Sequence, residues 1–198
     1  MTQKELFHFY NDKFQLIYAD LVAIKGDKPT EIVLQIESFV SHLAVANTTT
    51  DDEQVKSNLT KAQGHLQRAC LDAAKMLWKE LKERADRVYK KKGVLDWCIK
   101  DTSSTVKSMY QRANDFASEA RRIEVQNIGK NPEASIEKYY ESANEFQNFL
   151  RSIDWDRVEK FSAFDWKNII KSQIIGFIFG ILASAIVAIL AWKYLPVS

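Results

Sequence analysis

Three histidines, two cysteines and a line of cations are the residues of this chain with chemistry to offer. His8, His42 and His65 are too dispersed to form H-E-x-x-H or another paired-ligand motif. All three precede Arg68, so the Arg-then-His order of a small helical ribonuclease is absent. Cys70 falls on an apolar seam and Cys98 in an aromatic helix start, and both read as packing residues that suit a reducing compartment. No G-x-S-x-G, Walker loop or Rossmann glycine pattern occurs. The acids alternate with bases on helix faces, where solvated charge is the ordinary reading. The expectation is a protein that is not an enzyme, with no cofactor and no metal.

The cations carry a more specific signal. Residues 61–92 hold ten Lys/Arg against four acids, whereas residues 1–60 hold five against nine. Lys61, Arg68, Lys75 and Lys82 share one heptad position on a line roughly 32 Å long, and Lys79 joins them. Such a line matches a phosphate backbone or a polyanionic signal, an oligonucleotide or nucleotide. It could also meet anionic lipid headgroups. The competing reading is structural: lysines complement a helix C-terminus, and a basic face pairs with acidic helices nearby.

Helices must position these groups. Six Gly and three Pro are too few for a turn-rich β or α/β fold. Thr2 to Glu5 form a capping box, and Leu6, Phe9, Tyr10, Phe14, Ile17, Leu21 and Ile24 recur at helical spacing up to Gly26. Pro29 opens a second helix to about Ala46, with Ile32, Ile36, Phe39, Val40 and Leu43 inward. A third, unusually long helix follows from about Asp52 toward Gly93, its seam Val55, Leu59, Ala62, Leu66, Ala69, Ala73, Met76, continued after a small phase shift by Leu77, Leu81, Ala85 and Val88. A fourth covers about 101–127. A fifth starts at Asn131-Pro132-Glu133, with Ile136, Tyr139, Ala143, Phe146, Leu150 and Ile153 inward. This predicts an all-α, antiparallel helical bundle over residues 1–161, then a stiff juxtamembrane segment, 162–173.

The C-terminal stretch is different in kind. Lys193 is the sole charge after Lys171, so the first 171 residues carry 27 of the 28 Lys/Arg and all 26 Asp/Glu. Residues 174–192 are uncharged and span roughly 28 Å as a helix, a bilayer's hydrocarbon thickness. Trp166, Lys167 and Lys171 before the run, and Trp192, Lys193 and Tyr194 after it, suit the two headgroup layers. The expectation is a single-pass membrane protein with one C-terminal transmembrane helix and a short far-side tail, 193–198. Its N-terminal domain would be cytoplasmic, and the membrane would be the inner one if the source is bacterial. Gly176, Gly180, Ser184 and Ala188 recur every fourth residue as a stripe of small side chains suited to packing between copies in lipid. They could also line a narrow pore gated by wetting.

A helical soluble domain followed by one terminal span resembles, in layout, the single-span channel effectors of bacterial anti-phage defence, the Hailong type, whose partner enzyme makes an oligonucleotide signal. The resemblance implies an antiviral, pore-forming homo-oligomer, four or more copies forming an ion channel. It also makes the stripe around Arg68, Lys75 and Lys82 the signal site, and Gly176, Gly180 and Ser184 the pore face. The alternative is a non-conducting, tail-anchored adaptor that holds a protein partner at the lipid bilayer.

Overall fold

The computed structural model describes residues 1–91, 93–127, 131–161, 171, 173–175, 177–181 and 183–184. It divides into two compact units, Met1–Ile153 and Asp154–Ser198. The described residues are helical throughout, apart from turns and one isolated bridge between Ile99 and Ile153.

In the first unit α1 (Gln3–Phe9) passes through a π-helical turn (Tyr10–Phe14) into α2 (Gln15–Lys25), and the hairpin partner α3 covers Thr30–Thr48. The long α4 (Asp52–Tyr89), the single turn α5 (Val94–Trp97), α6 (Ser103–Gln126) and α7 (Glu133–Arg151) complete it. Local chemistry sets these ends. Thr2 accepts from the Glu5 N–H, whose carboxylate returns to the Thr2 N–H, closing the capping box. Gly26 stops α2 and Gly93 turns the chain into α5, both at φ 84°, a conformation that only glycine adopts cheaply. Asn131 Oδ1 accepts from the Glu133 N–H and caps α7 across Pro132.

The π turn answers a spacing problem. The buried residues of the first helix are Leu6, Phe9, Phe14, Ile17 and Leu21. Phe9 and Phe14 are five apart, which on an α-helix would turn Phe14 away from the core. Widening one turn, so that Gln15 N–H bonds to Tyr10 O, absorbs the surplus residue.

Helix α4 is the central element, packed against α2, α3 and α7. Its buried face, Ala62, Leu66, Ala69, Ala73, Leu77, Leu81 and Ala85, is rich in alanine and lets the neighbours approach closely. Val55, Leu59 and Met76 of the expected seam are only half-buried. Chain neighbours run antiparallel: His65 of α4 meets Gln35 while Asn58 meets His42, and Arg112 of α6 meets Glu145. Helices α4 and α7 instead run parallel, with Trp78 against Tyr139 and Tyr89 against Phe149. The bundle is therefore antiparallel along the chain and mixed across the core.

In the second unit residues 155–161 are helical behind an Asp154 cap, as are the described residues between 171 and 184. Among the described residues no helix is long and apolar enough to cross a membrane. The span expected at 174–192 lies largely outside the described residues.

Candidate functional site

Helical geometry divides the cations of α4. A straight α-helix drifts about 20° per heptad, so the line through Lys61, Arg68, Lys75 and Lys82 rotates as it climbs. Lys61 and Arg68 face solvent, while Lys75 and Lys82 swing into the seam with α6 and α7. Lys75 Nζ lies 2.8 Å from Glu124 Oε1, and the Tyr139 hydroxyl donates to the other oxygen at 2.9 Å. Burial pushes the Glu124 carboxyl up, but these two hydrogen bonds outweigh it and hold the group below its ordinary range. Lys82 Nζ is 2.9 Å from Asp86 and sits over the Phe146 ring. Asp86 also accepts from the Tyr110 hydroxyl at 2.6 Å. Burial and this carboxylate push Tyr110 up to about 12, as burial and Glu124 do for Tyr139. Lys79 is exposed, 4.0 Å from Glu83. Of the five stripe residues, Lys61, Arg68 and Lys79 face outward along one line. Lys75 and Lys82 hold the bundle's own carboxylates.

Two of the three histidines do meet, though not as ligands of a metal. His42 and His65 stack with ring centroids 5.3 Å apart where α3 crosses α4. Their Nδ1 atoms bond Asn58 Oδ1 at 2.9 Å and Gln35 Oε1 at 2.8 Å. Amide oxygens only accept, so each Nδ1 carries the proton. Burial, the neighbouring imidazole and Arg68 hold His65 below the ordinary histidine value. Among the described residues no group of three or more His, Cys, Asp or Glu is placed to hold a metal ion. Cys70 and Cys98 are buried, and burial pushes the Cys70 thiol up to about 12.

A concave apolar surface was not foreseen from sequence. It is an apolar groove of about 860 Å³ between the first helix and α3, floored by Ile32 and Ile36 and flanked by Leu16 and Val40. A neighbouring hollow of about 440 Å³ shares Tyr10, Asn11, Ile36 and Val40, and reaches Phe7 and Ala44. One wall is a ladder of rings: Phe39 stacks on Tyr10 at 6.1 Å, Tyr10 meets Phe14 at 5.4 Å, and Phe14 stacks on Tyr18 at 5.3 Å. Phe7, Leu16 and Val40 are 45%, 57% and 54% exposed. The π turn supplies this wall, because its extra residue leaves Tyr10 and Asn11 facing α3 while Phe9 and Phe14 stay buried. The uneven 3, 5, 3, 4 spacing of the buried residues was the available signal.

Of the remaining candidate residues, Gly180 lies in helix where an added Cβ would meet nothing within 4 Å. The Ser184 hydroxyl donates to Gly180 O at 2.9 Å, and Lys171 is exposed. Gly176, Ala188, Trp166, Lys167, Trp192, Lys193 and Tyr194 lie outside the described residues. No protein-family model, curated protein or solved structure matches this chain.

Proposed function

We propose that this chain is a non-enzymatic, homo-oligomeric membrane effector. Residues 174–192 tether it to the bilayer. The bundle associates with other copies through the groove between α1–α2 and α3, and this gathers the small-residue stripes of several spans into a pore. The groove carries the proposal: rings and aliphatic side chains lie open along one continuous face, where burial is worth about 25 cal/mol per Å². Lys61, Arg68 and Lys79 remain for an anionic signal. Their separations of roughly 10 and 16 Å suit an extended polyanion better than a mononucleotide.

The mass of the full chain cross-linked while it sits in liposomes tests this, together with dye leakage from the same liposomes. Four or more copies, with leakage dependent on protein density, are expected. Leu16→Asp with Val40→Asp should return the mass to a monomer without loss of helicity, since both sites are more than half exposed. A monomeric wild type with intact liposomes refutes the reading. The same groove also favours a second reading, a tail-anchored adaptor that takes an amphipathic helix of a partner protein. That reading predicts the monomer and the intact liposomes.

A further inference from the structure

We propose that the end of the bundle from which the chain leaves the first unit docks on an anionic bilayer surface. Trp97 is set among the headgroups, and Lys90, Lys91, Lys100 and Arg151 face lipid phosphates. The inference rests on the tether of the proposed function and adds an orientation to it.

The surface is a fixed ledge. Helix α4 ends at Lys90, Gly93 reverses the chain, and α5 follows as a single turn with its Trp97 N–H bonded to Gly93 O at 3.0 Å. Ile99 bridges Ile153, and the Lys100 N–H bonds Ser152 O at 2.9 Å. The Lys100 ammonium reaches Arg151 O at 3.0 Å. Residues 94–100 are thereby held against the end of α7. Val94, Leu95 and Cys98 of this ledge are buried at 8% exposure or less, yet Trp97 between them is 70% exposed. A rigid segment that seals its small apolar residues and turns a tryptophan outward presents an amphipathic ring, the type that collects at membrane interfaces.

The charge around it has one sign in excess. Lys90, Lys91, Lys100 and Arg151 are exposed there, against Asp96 and Asp101. The helix dipole accounts for the lysines after α4 and for the Lys100 ammonium on the last carbonyl of α7, but not for the tryptophan. Chain length supplies the occupant. Residues 154–173 alone separate this end from the apolar run in the sequence. Of the whole bundle, this end is held nearest the bilayer along the chain. Cations close to an anionic leaflet each add to the attraction, within a Debye length of about 8 Å.

The full chain, bound to vesicles of phosphatidylcholine alone or mixed with phosphatidylglycerol, tests the docking. Flotation reports the tether, and bromine-labelled acyl chains report contact by quenching tryptophan. The difference between wild type and Trp97→Phe isolates this ring from the others. The expected result is lipid quenching of Trp97 in the mixed vesicles, weaker in phosphatidylcholine and weakened by high salt. Lys90→Glu with Lys91→Glu and Lys100→Glu should reduce it by more than half while flotation persists. A chain that floats, yet leaves Trp97 unquenched by lipid and open to aqueous acrylamide in both vesicles, overturns the docking and spares the tether. A chain that does not float overturns both. Protection of Trp97 by an acidic protein, with no response to phosphatidylglycerol, overturns the docking in favour of a protein partner.

Discussion

Deleting Asn11 should leave the fold standing, whereas deleting Ala19 should not. Asn11 is exposed within the π turn, and its removal turns the interval between Phe9 and Phe14 from five residues into four. Leu6, Phe9, Phe14, Ile17 and Leu21 would then follow 3, 4, 3, 4 spacing, which an ordinary α-helix keeps on one face. The helix shortens by at most about 1.5 Å. Ala19 is exposed too, but it lies in regular helix. Its loss rotates everything after it by about 100°. Leu21, fully buried, would leave the core, and Asp20 would leave its 2.8 Å bond with Tyr140. The leucine alone is worth about 2–3 kcal/mol, and the hydrogen bond about 1 kcal/mol. For a chain of this size each kcal/mol moves Tm by roughly 2–4 °C. Thermal unfolding of the full chain in detergent should show the Asn11 deletion within about 4 °C of wild type. The Ala19 deletion should fall by roughly 6 °C or more. Because the Asn11 deletion also turns Tyr10 out of its ring ladder, it should lose assembly while keeping helicity. Equal losses in the two deletions would refute the account of the π turn.

Three further outcomes depend on single groups. His65 is held below the unfolded value of about 6.5, so the unfolded chain binds the extra proton. The contribution of His65 is present above that pH and lost as pH falls toward the lower folded pKa; His65→Gln should flatten this acid-side drop in Tm. Glu124 is a depressed carboxyl, so its stabilisation is present above the unfolded value of about 4.3 and is lost as pH falls through the folded one. Glu124→Gln should cost about 1–2 kcal/mol near neutral pH, and a cycle with Lys75→Met should show the two coupled in urea unfolding. With burial holding its thiol near 12, Cys70 should resist alkylation in the native chain and react only as it unfolds; rapid labelling with retained helicity would refute its burial.

The helix starts and stops were legible because they depend on neighbours in sequence: Thr2 with Glu5, Gly26, Asn131 before Pro132. So was most of the inward face of α7, where spacing stays near 3.6. What failed to be legible depended on long-range geometry. The heptad line through Lys61, Arg68, Lys75 and Lys82 assumes a supercoil that α4 does not hold, so Lys75 ends beside Glu124, 49 residues along the chain. The parallel pairing of α4 with α7 has no local signature either. Val40 was placed inward by periodicity, yet it is 54% exposed, because α1–α2 and α3 leave a groove between them.

Under the proposed function, that groove gives a membrane tether a thermodynamic role. Closing it over Phe7, Leu16 and Val40 gains about 1 kcal/mol for each half-exposed side chain, a few kcal/mol in all. Association in solution costs roughly 4–15 kcal/mol in lost translational and rotational freedom. On this account the contact is too weak to assemble free copies at low concentration, which keeps an apolar face from becoming an aggregation surface. Copies held on one membrane have already surrendered one direction of translation and much of their rotation. Their effective concentration rises with surface density, as it does for linked modules. The small side chains of the spans, packing in lipid without a hydrophobic drive, add to the same equilibrium. The proposed assembly then needs both groove and span. Assembly becomes a threshold in membrane density, and an anionic ligand bridging Lys61, Arg68 and Lys79 between copies would lower that threshold.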